Sequence, residues 1–370
     1  MKSLEDRMSA ANTILAPYAV PHEGTLGRVT LEAPDSTRYP FQRDRDRIVY
    51  TKETRRLMGK TQVFVSGESN DHNRTRLTHT AEVVIISRNI ARALGLNEDL
   101  VECIALAHDL GHPPFGHAGE DALNDWMKDN GSSFEHNKQS LRIVEVLTKH
   151  PPLQQGLNPN REVLEGMMKH RTPHDNPEDT IPRNPSLEAL VVNIADEIAY
   201  TGHDVDDGLR EGILNMEDLN QIELIQCAQA RKTHASLNSA IVDALVSDLY
   251  EETDRQIQEQ NIHTLDDVYE RSDNPVRFSE QMRKKLDELR HYLKENMYLH
   301  ADVLKGTEHG KHIVTTLCKH YKNNPNEQIL TLQEANGGDL IEAIKDHVAG
   351  MTDDYALATF SALPQQQEGA

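Results

Sequence analysis

In His108-Asp109-Leu110-Gly111-His112-Pro113-Pro114-Phe115-Gly116-His117-Ala118-Gly119-Glu120 the chain passes from an apolar helix into a rigid turn. Val101, Ile104 and Ala105 set the helical spacing upstream, and His108 follows Ile104 by one turn on the same apolar face. A lone histidine there reads either as a hydrogen-bonded core residue or as a ligand. Asp109 favours the ligand, because a carboxylate is almost never buried without a partner. Neighbouring helical residues point about 100° apart, yet two short side chains at a helix end can both reach one ion. Pro113, Pro114 and Gly116 then break the helix. His117 and Glu120 lie three apart and share a face. A carboxylate beside an imidazole orients the ring and favours its protonated form, as a general acid near neutral pH requires. An ordinary surface pair at a helix start is the other reading of the same spacing.

Two further residues complete a candidate shell. His79 opens a helix marked by Val83, Ile86, Ile90 and Leu94, with Gly95 as its stop. Asp196 lies on a helix opened by Pro185-Ser186 and marked by Leu187, Leu190, Val191, Ile194 and Ile198. Two imidazoles and two carboxylates make a mixed nitrogen and oxygen donor set, suited to Mn, Fe, Co, Ni, Zn or, less well, Mg. No thiolate belongs to this donor set, which argues against a structural cysteine-type zinc site; Cys103, Cys227 and Cys318 are far apart from one another and odd in number. No HExxH, Walker-type loop or dinucleotide fingerprint occurs.

Around this core lie candidates for substrate contact. His136, in Phe134-Glu135-His136-Asn137, reads as a second proton donor, a phosphate contact or a capping residue. Asp196, Tyr200 and Asp204 follow at i, i+4 and i+8 along one stripe, where Tyr200 can meet a sugar and Asp204 can accept from a hydroxyl. Asp206 and Asp207 read as a solvated face. Arg76 precedes His79 by three residues, so a phosphate between it and the ion would relieve their repulsion. Arg55, Arg56, Lys60, Arg74 and Lys169-His170 are further cations, each equally readable as a surface charge.

Composition narrows the classes. The chain has 370 residues, 39 Lys plus Arg and 60 Asp plus Glu, for a net charge of −21. This acidity argues against broad non-specific nucleic-acid binding, though a local basic pocket can still hold a small phosphate ester. The apolar fraction excludes a disordered chain. No run of about 18 apolar residues is present, so no membrane span is expected. Met1-Lys2-Ser3-Leu4-Glu5-Asp6 lacks a signal-peptide core. Three widely spaced cysteines exclude a disulfide framework and fit a reducing cytoplasm.

The residue pattern reads as a single, mostly α-helical body. Residues 1–40 are expected to form an irregular arm, and the proline-rich run from Gln154 to Pro185 a loop, an insertion or a lid. Thr61-Gln62-Val63-Phe64-Val65 is the one strand-like run. Phe278, Met282, Leu286, Leu289 and Leu293 mark a long amphipathic helix that fits either the core or an interface between subunits. The last residues, 365–370, read as a frayed tail.

Together these motifs resemble the HD-domain superfamily of metal-dependent phosphohydrolases. More closely, Arg55-Arg56-Leu57-Met58-Gly59-Lys60-Thr61-Gln62-Val63-Phe64, Arg74-Thr75-Arg76-Leu77-Thr78-His79-Thr80, the His108–His117 run and Phe134-Glu135-His136-Asn137 are similar to the bacterial dGTPase (deoxynucleotide triphosphohydrolase) family. The likeness runs from about Phe41 to Tyr355 and includes Gly350-Met351-Thr352-Asp353. It implies an all-α HD bundle: an arm over 1–40, an HD core over 41–210 and a C-terminal helical part over 211–370. It implies hydrolysis of dGTP or another dNTP to deoxynucleoside and inorganic triphosphate. His79, His108, Asp109 and Asp196 would bind the metal, Mn²⁺ or Mg²⁺ first, with Fe, Co, Ni or Zn as alternatives. His117 with Glu120 would be catalytic and His136 would assist. Arg76 and Lys169 would contact phosphates, Tyr200 and Asp204 the sugar, and Gln62 the sugar or base. The family assembles as tetramers or hexamers, so a homo-oligomer is expected, with a nucleotide or single-stranded DNA as an effector. Another HD enzyme, such as a 5′-deoxynucleotidase or phosphodiesterase, and a nucleotide sensor without turnover are the competing readings.

Overall fold

The computed structural model describes residues 2–62, 74–150, 155–168, 184–231 and 236–364. The fold is all-α, with helices from Leu4–Asn12 to Asp353–Ser361 and no strand among the described residues. Thr61 makes only an isolated bridge with Thr75, and Val63–Val65 lie outside the described residues. Where the residue pattern alone reads as one body, contacts divide the chain into two compact units, neither continuous in sequence. The first is Met1–Thr51, His79–His108 and Val144–His300; the second is Lys52–Thr78, Asp109–Ile143 and Ala301–Ala370.

The first unit is organised around the Glu98–Ala107 helix. Its start is set by Asn97, whose side chain accepts from the Asp99 and Leu100 amides, with Glu98 and Asp99 in the first turn. Leu100, Val101, Cys103, Ile104, Ala105 and Ala107 are all buried. A helix apolar on most of its circumference must be covered on several sides. The Pro40–Val49, Arg161–Met167 and Leu187–Arg210 helices cover it. Leu187–Arg210 starts at Ser186, whose hydroxyl accepts from the Ala189 amide, as Pro185-Ser186 predicts.

The arm is not wholly irregular. Leu4–Asn12 is a helix closed by a reciprocal Ser3 and Asp6 capping box. Further on, the buried Glu188 carboxylate accepts from the Val20 and Asn97 amides at 3.0 and 3.1 Å, which fixes the arm to the first unit. The Gln154–Pro185 run also contains a helix, Arg161–Met167, rather than loop alone. Residues 169–183 lie outside the described residues. The amphipathic helix forms at Glu280–Leu293 behind the Ser279 cap, with Leu286, Leu289 and Leu293 buried inside the unit.

In the second unit Phe115, Leu123, Trp126, Met127 and Phe134 share a core with Ile313, Leu317, Ile344 and Val348. The Gly116–Asp129 helix packs there on Ala301–Asn323 and Leu340–Ala349. This core anchors the turn that carries His112 and His117.

Candidate active site

His79, His108 and Asp196 converge within the first unit from three helices. His108 caps the end of Glu98–Ala107, where the last carbonyls lack intrahelical partners. Its Nδ1 donates to the Ala105 carbonyl at 2.6 Å. In a neutral imidazole that leaves a lone pair on Nε2, and Nε2 faces Asp196 Oδ1 at 3.7 Å. His79 Nε2 lies 2.9 Å from the same oxygen. Both rings are almost fully buried, at 1% and 2% exposure. A lone pair aimed at a carboxylate oxygen is repulsive unless a proton or a cation lies between them. The donor set therefore fits a divalent ion. Asp109, the next residue in the chain after His108, is itself buried.

The second unit holds the proton-transfer candidates on a tightly constrained turn. Phe115 and Gly116 both adopt left-handed backbone conformations, at φ 62° and 57°. This is a costly state for phenylalanine, and Asp353 fastens it: Oδ1 accepts from the Phe115 amide at 2.9 Å and Oδ2 from the Thr61 amide at 3.0 Å. Gly111 permits a close backbone crossing. A Cβ there would lie 2.3 Å from the His136 carbonyl oxygen and the Ser140 nitrogen. At Gly119 a Cβ would lie 1.9 Å from the Pro114 carbonyl oxygen, so the turn folds directly onto the helix it starts. Buried Lys60 donates to the His112 and Ala349 carbonyls. Burial, helped by Arg56 and Arg76, pulls the Lys60 ammonium down to about 7.

Through that crossing His112 stacks on His136, with ring centroids 3.8 Å apart. Glu120 organises the cluster. Its Oε1 lies 2.8 Å from both the backbone amide and Nδ1 of His136, and its Oε2 lies 3.5 Å from His117 Nδ1. Burial raises the Glu120 pKa, but hydrogen bonds from His117 and His136 outweigh it and hold the carboxyl well below its ordinary range. The His117 side chain is 80% exposed, so it can meet a solute.

Asp109, His112 and His136 form another close group of potential ligands in this unit. Asp109 Oδ1 faces His112 Nε2 at 3.4 Å, and Oδ2 accepts from Arg76 at 2.9 Å. Arg76 is expected to need an intervening phosphate, yet it pairs directly with this carboxylate. Its Nε and Nη2 are buried and make no hydrogen bond among the described residues. Two donors in a rigid fork are thus left for an anion.

The remaining expectations divide. Tyr200 and Asp204 share the Leu187–Arg210 helix with Asp196. Arg290 lies over the Tyr200 ring at 5.3 Å and pairs with Glu197 at 2.8 Å. Asp204 is buried and accepts from the Tyr298 hydroxyl. Asp207 is buried rather than solvated, and Arg210 bonds Asp206 at 2.5 Å. Gln62 is partly buried in the second unit, and Lys169 lies outside the described residues. Sequence reasoning overlooked His112, Glu82, His203 and Arg290. Spacing held a signal for two of them: Glu82 is three residues after His79, and His203 is seven after Asp196, each on the same helical face as its partner.

The chain is similar to known proteins along most of its length. The HD domain family model matches residues 76–201, and the phosphohydrolase-associated domain model matches 276–362. A deoxyguanosinetriphosphate triphosphohydrolase-like protein from Azoarcus sp. is 44% identical over 361 residues, 93% of this chain and 94% of that one. The chain belongs to the dGTPase-like family of HD-domain proteins. Other family members of the same description occur in Leptospira interrogans, 39% identical over 98% of this chain and 99% of that one, and in Deinococcus radiodurans, 40% identical over 96% and 98%. As an HD-domain phosphohydrolase, the chain carries His79, His108, Asp109, His117, Glu120, His136, Asp196 and Tyr200 inside the matched HD span. No helix of the described residues is long and apolar enough to cross a membrane.

Proposed function

We propose that this chain hydrolyses dGTP or another dNTP to a deoxynucleoside and inorganic triphosphate, with water attacking the α-phosphorus. The substrate class rests on near-full-length likeness to relatives described as deoxyguanosinetriphosphate triphosphohydrolase-like. The observation that carries the metal requirement is His108, whose Nδ1 is committed to the Ala105 carbonyl while Nε2 faces Asp196. His79, His108, Asp109 and Asp196 would hold a divalent ion, Mn²⁺ or Mg²⁺ first, with Fe, Co, Ni or Zn able to use the same donors. When bound, the ion would polarise a phosphoryl oxygen and offset charge in the transition state.

The chain's own residues supply the rest. The 5′-oxygen leaves poorly as an alkoxide, so a proton donor is worth roughly 10²–10⁴ in rate. His117 donates that proton, Glu120 orients it, and His136 steadies Glu120 from the opposite side. Arg76 directs Nε and Nη2 at phosphate oxygens, and Lys169 is a second phosphate contact. Tyr200 packs against C2′ and disfavours ribose, Asp204 accepts from the 3′-hydroxyl, and Gln62 touches the sugar or base. The protein acts in the cytoplasm as a homo-oligomer, a tetramer or hexamer, which light scattering at micromolar concentration tests. An effector nucleotide or single-stranded DNA would tune its rate.

The test is product analysis. The purified chain is incubated with each dNTP and Mn²⁺ or Mg²⁺, singly and mixed, and the products are resolved by ion exchange. Triphosphate plus deoxynucleoside is expected. Orthophosphate or pyrophosphate would transfer the chain to another HD reaction, such as that of a 5′-deoxynucleotidase. No turnover of any dNTP would favour a nucleotide sensor.

A further inference from the structure

Behind His79 lies a hydrogen-bonded chain that the reaction as proposed does not use. His79 presents Nε2 to Asp196 at 2.9 Å and Nδ1 to His203 Nδ1 at 3.4 Å. The His203 ring is 1% exposed and stands edge-on to His79, and its Nε2 bonds the Glu82 carboxylate. Glu82 is more than a third exposed.

With an ion rather than a proton between His79 Nε2 and Asp196, and with His203 neutral, the partners fix where the protons sit. An ionised carboxylate only accepts, so His203 Nε2 must carry the hydrogen. A neutral His203 then has a lone pair on Nδ1. Two lone pairs cannot face each other across 3.4 Å, so His79 donates from its own Nδ1. His79 Nε2 is thereby left unprotonated on the side of Asp196. His108 reaches the same state by a shorter route, since its Nδ1 donates to the Ala105 carbonyl. Metal-ligating histidines commonly give their second N–H to a carboxylate or a carbonyl, which orients the ring and fixes its tautomer. Here one histidine uses the backbone, and the other uses a carboxylate reached through a second imidazole.

We propose that Glu82 and His203 are positioning residues that hold His79 as the Nδ1–H tautomer and so prepare Nε2 to bind the divalent ion. This rests on the metal reading above but adds two residues that do not themselves touch the ion. Glu82 and His79 are three apart on Arg76–Ala93, and His203 follows Asp196 by seven on Leu187–Arg210. Each helix therefore supplies one candidate ligand and one member of the relay.

The experiment measures Mn²⁺ affinity of the full chain, stripped by chelation and titrated against a chromophoric chelator, with no nucleotide present. Removal of such outer partners typically costs 10–100-fold in metal affinity. Glu82→Ala is expected to weaken Mn²⁺ binding by about that factor while circular dichroism and the metal-free melting temperature stay unchanged. Glu82→Gln keeps an accepting oxygen and should restore most of the affinity. His203→Ala should match Glu82→Ala, but His203 is buried, so the partly exposed Glu82 carries the decision if that variant misfolds. Affinity of Glu82→Ala within twofold of the intact chain would overturn the inference and leave the metal reading standing. Equal loss in Glu82→Gln and Glu82→Ala would overturn it too, by assigning the effect to charge rather than to an accepting atom. Failure of the intact chain to bind Mn²⁺, or any metal competing with it, would remove the metal reading and this inference together.

Discussion

The two units use the same side chains under opposite constraints. In the first, His79 and His108 are almost wholly buried, and both ring nitrogens of each are directed at named partners. In the second, His117 is four-fifths exposed and meets Glu120 only at 3.5 Å. Burial with fixed tautomers suits holding an ion, because a ligand nitrogen must stay unprotonated. Exposure with one loosely placed carboxylate suits a group that gains and loses a proton. Residue type alone does not separate these roles; the surroundings of each ring do.

That contrast can be broken most sharply at Asp196. Replacing it with alanine should abolish tight Mn²⁺ binding and lower turnover on the order of 10³-fold or more. Equilibrium dialysis and product assay check both, and retained metal would dissolve the distinction between the units. The next effect belongs to the second unit. His117→Ala should lower kcat by roughly 10²–10⁴ while leaving bound Mn²⁺ unchanged. Metal loss in that variant would move His117 into the holding set. Glu120 links this prediction to pH. Its folded carboxyl is held below its ordinary value of 4.5, so its pairing stabilises the fold fully above that value and is lost as pH falls below it. Glu120→Gln should therefore flatten the acid limb of melting temperature against pH.

The smallest expected effect is at Lys60. Leaving the His112 and Ala349 carbonyls without its ammonium should cost about 1–3 kcal/mol of stability in Lys60→Met. Here the sign is reversed. The folded group titrates near 7 against 10.5 when unperturbed, so between those values the unfolded chain binds more proton. Wild-type stability relative to the variant should rise from pH 7 to 10. A difference that stays flat in chemical denaturation across that range would remove the assigned burial cost.

Much of this was legible in the sequence, for reasons that local chemistry explains. Ser186 and Asn97 cap the helices that carry Asp196 and His108, and apolar spacing fixes which faces turn inward. A carboxylate beside a histidine on such a face demands a partner, and this marks His108-Asp109 without any structure. The helix Leu4–Asn12 escaped because it buries no residue, so no apolar stripe announces it. His203 escaped because Asp206 and Asp207 close by read as a solvated face, whereas Asp207 is buried. The Tyr298 partner of Asp204 is separated from it by 94 residues, and periodicity carries no information over that distance. His112 lay inside the quoted motif, but its stacking on His136 depends on the backbone crossing at Gly111.

The fastening of Phe115 and Gly116 by Asp353 also has a consequence for biosynthesis. Asp353 follows the turn it secures by 238 residues. A ribosome releases His79, His108, His117 and Asp196 long before it releases Asp353. Until then the left-handed turn has no carboxylate to hold it. Chains cut short between Asp196 and Asp353 would carry every proposed ligand and still lack the carboxylate that orders the turn before His117. Order at this turn would thus depend on a contact that closes across a long stretch of chain, the kind that forms late and slowly in folding.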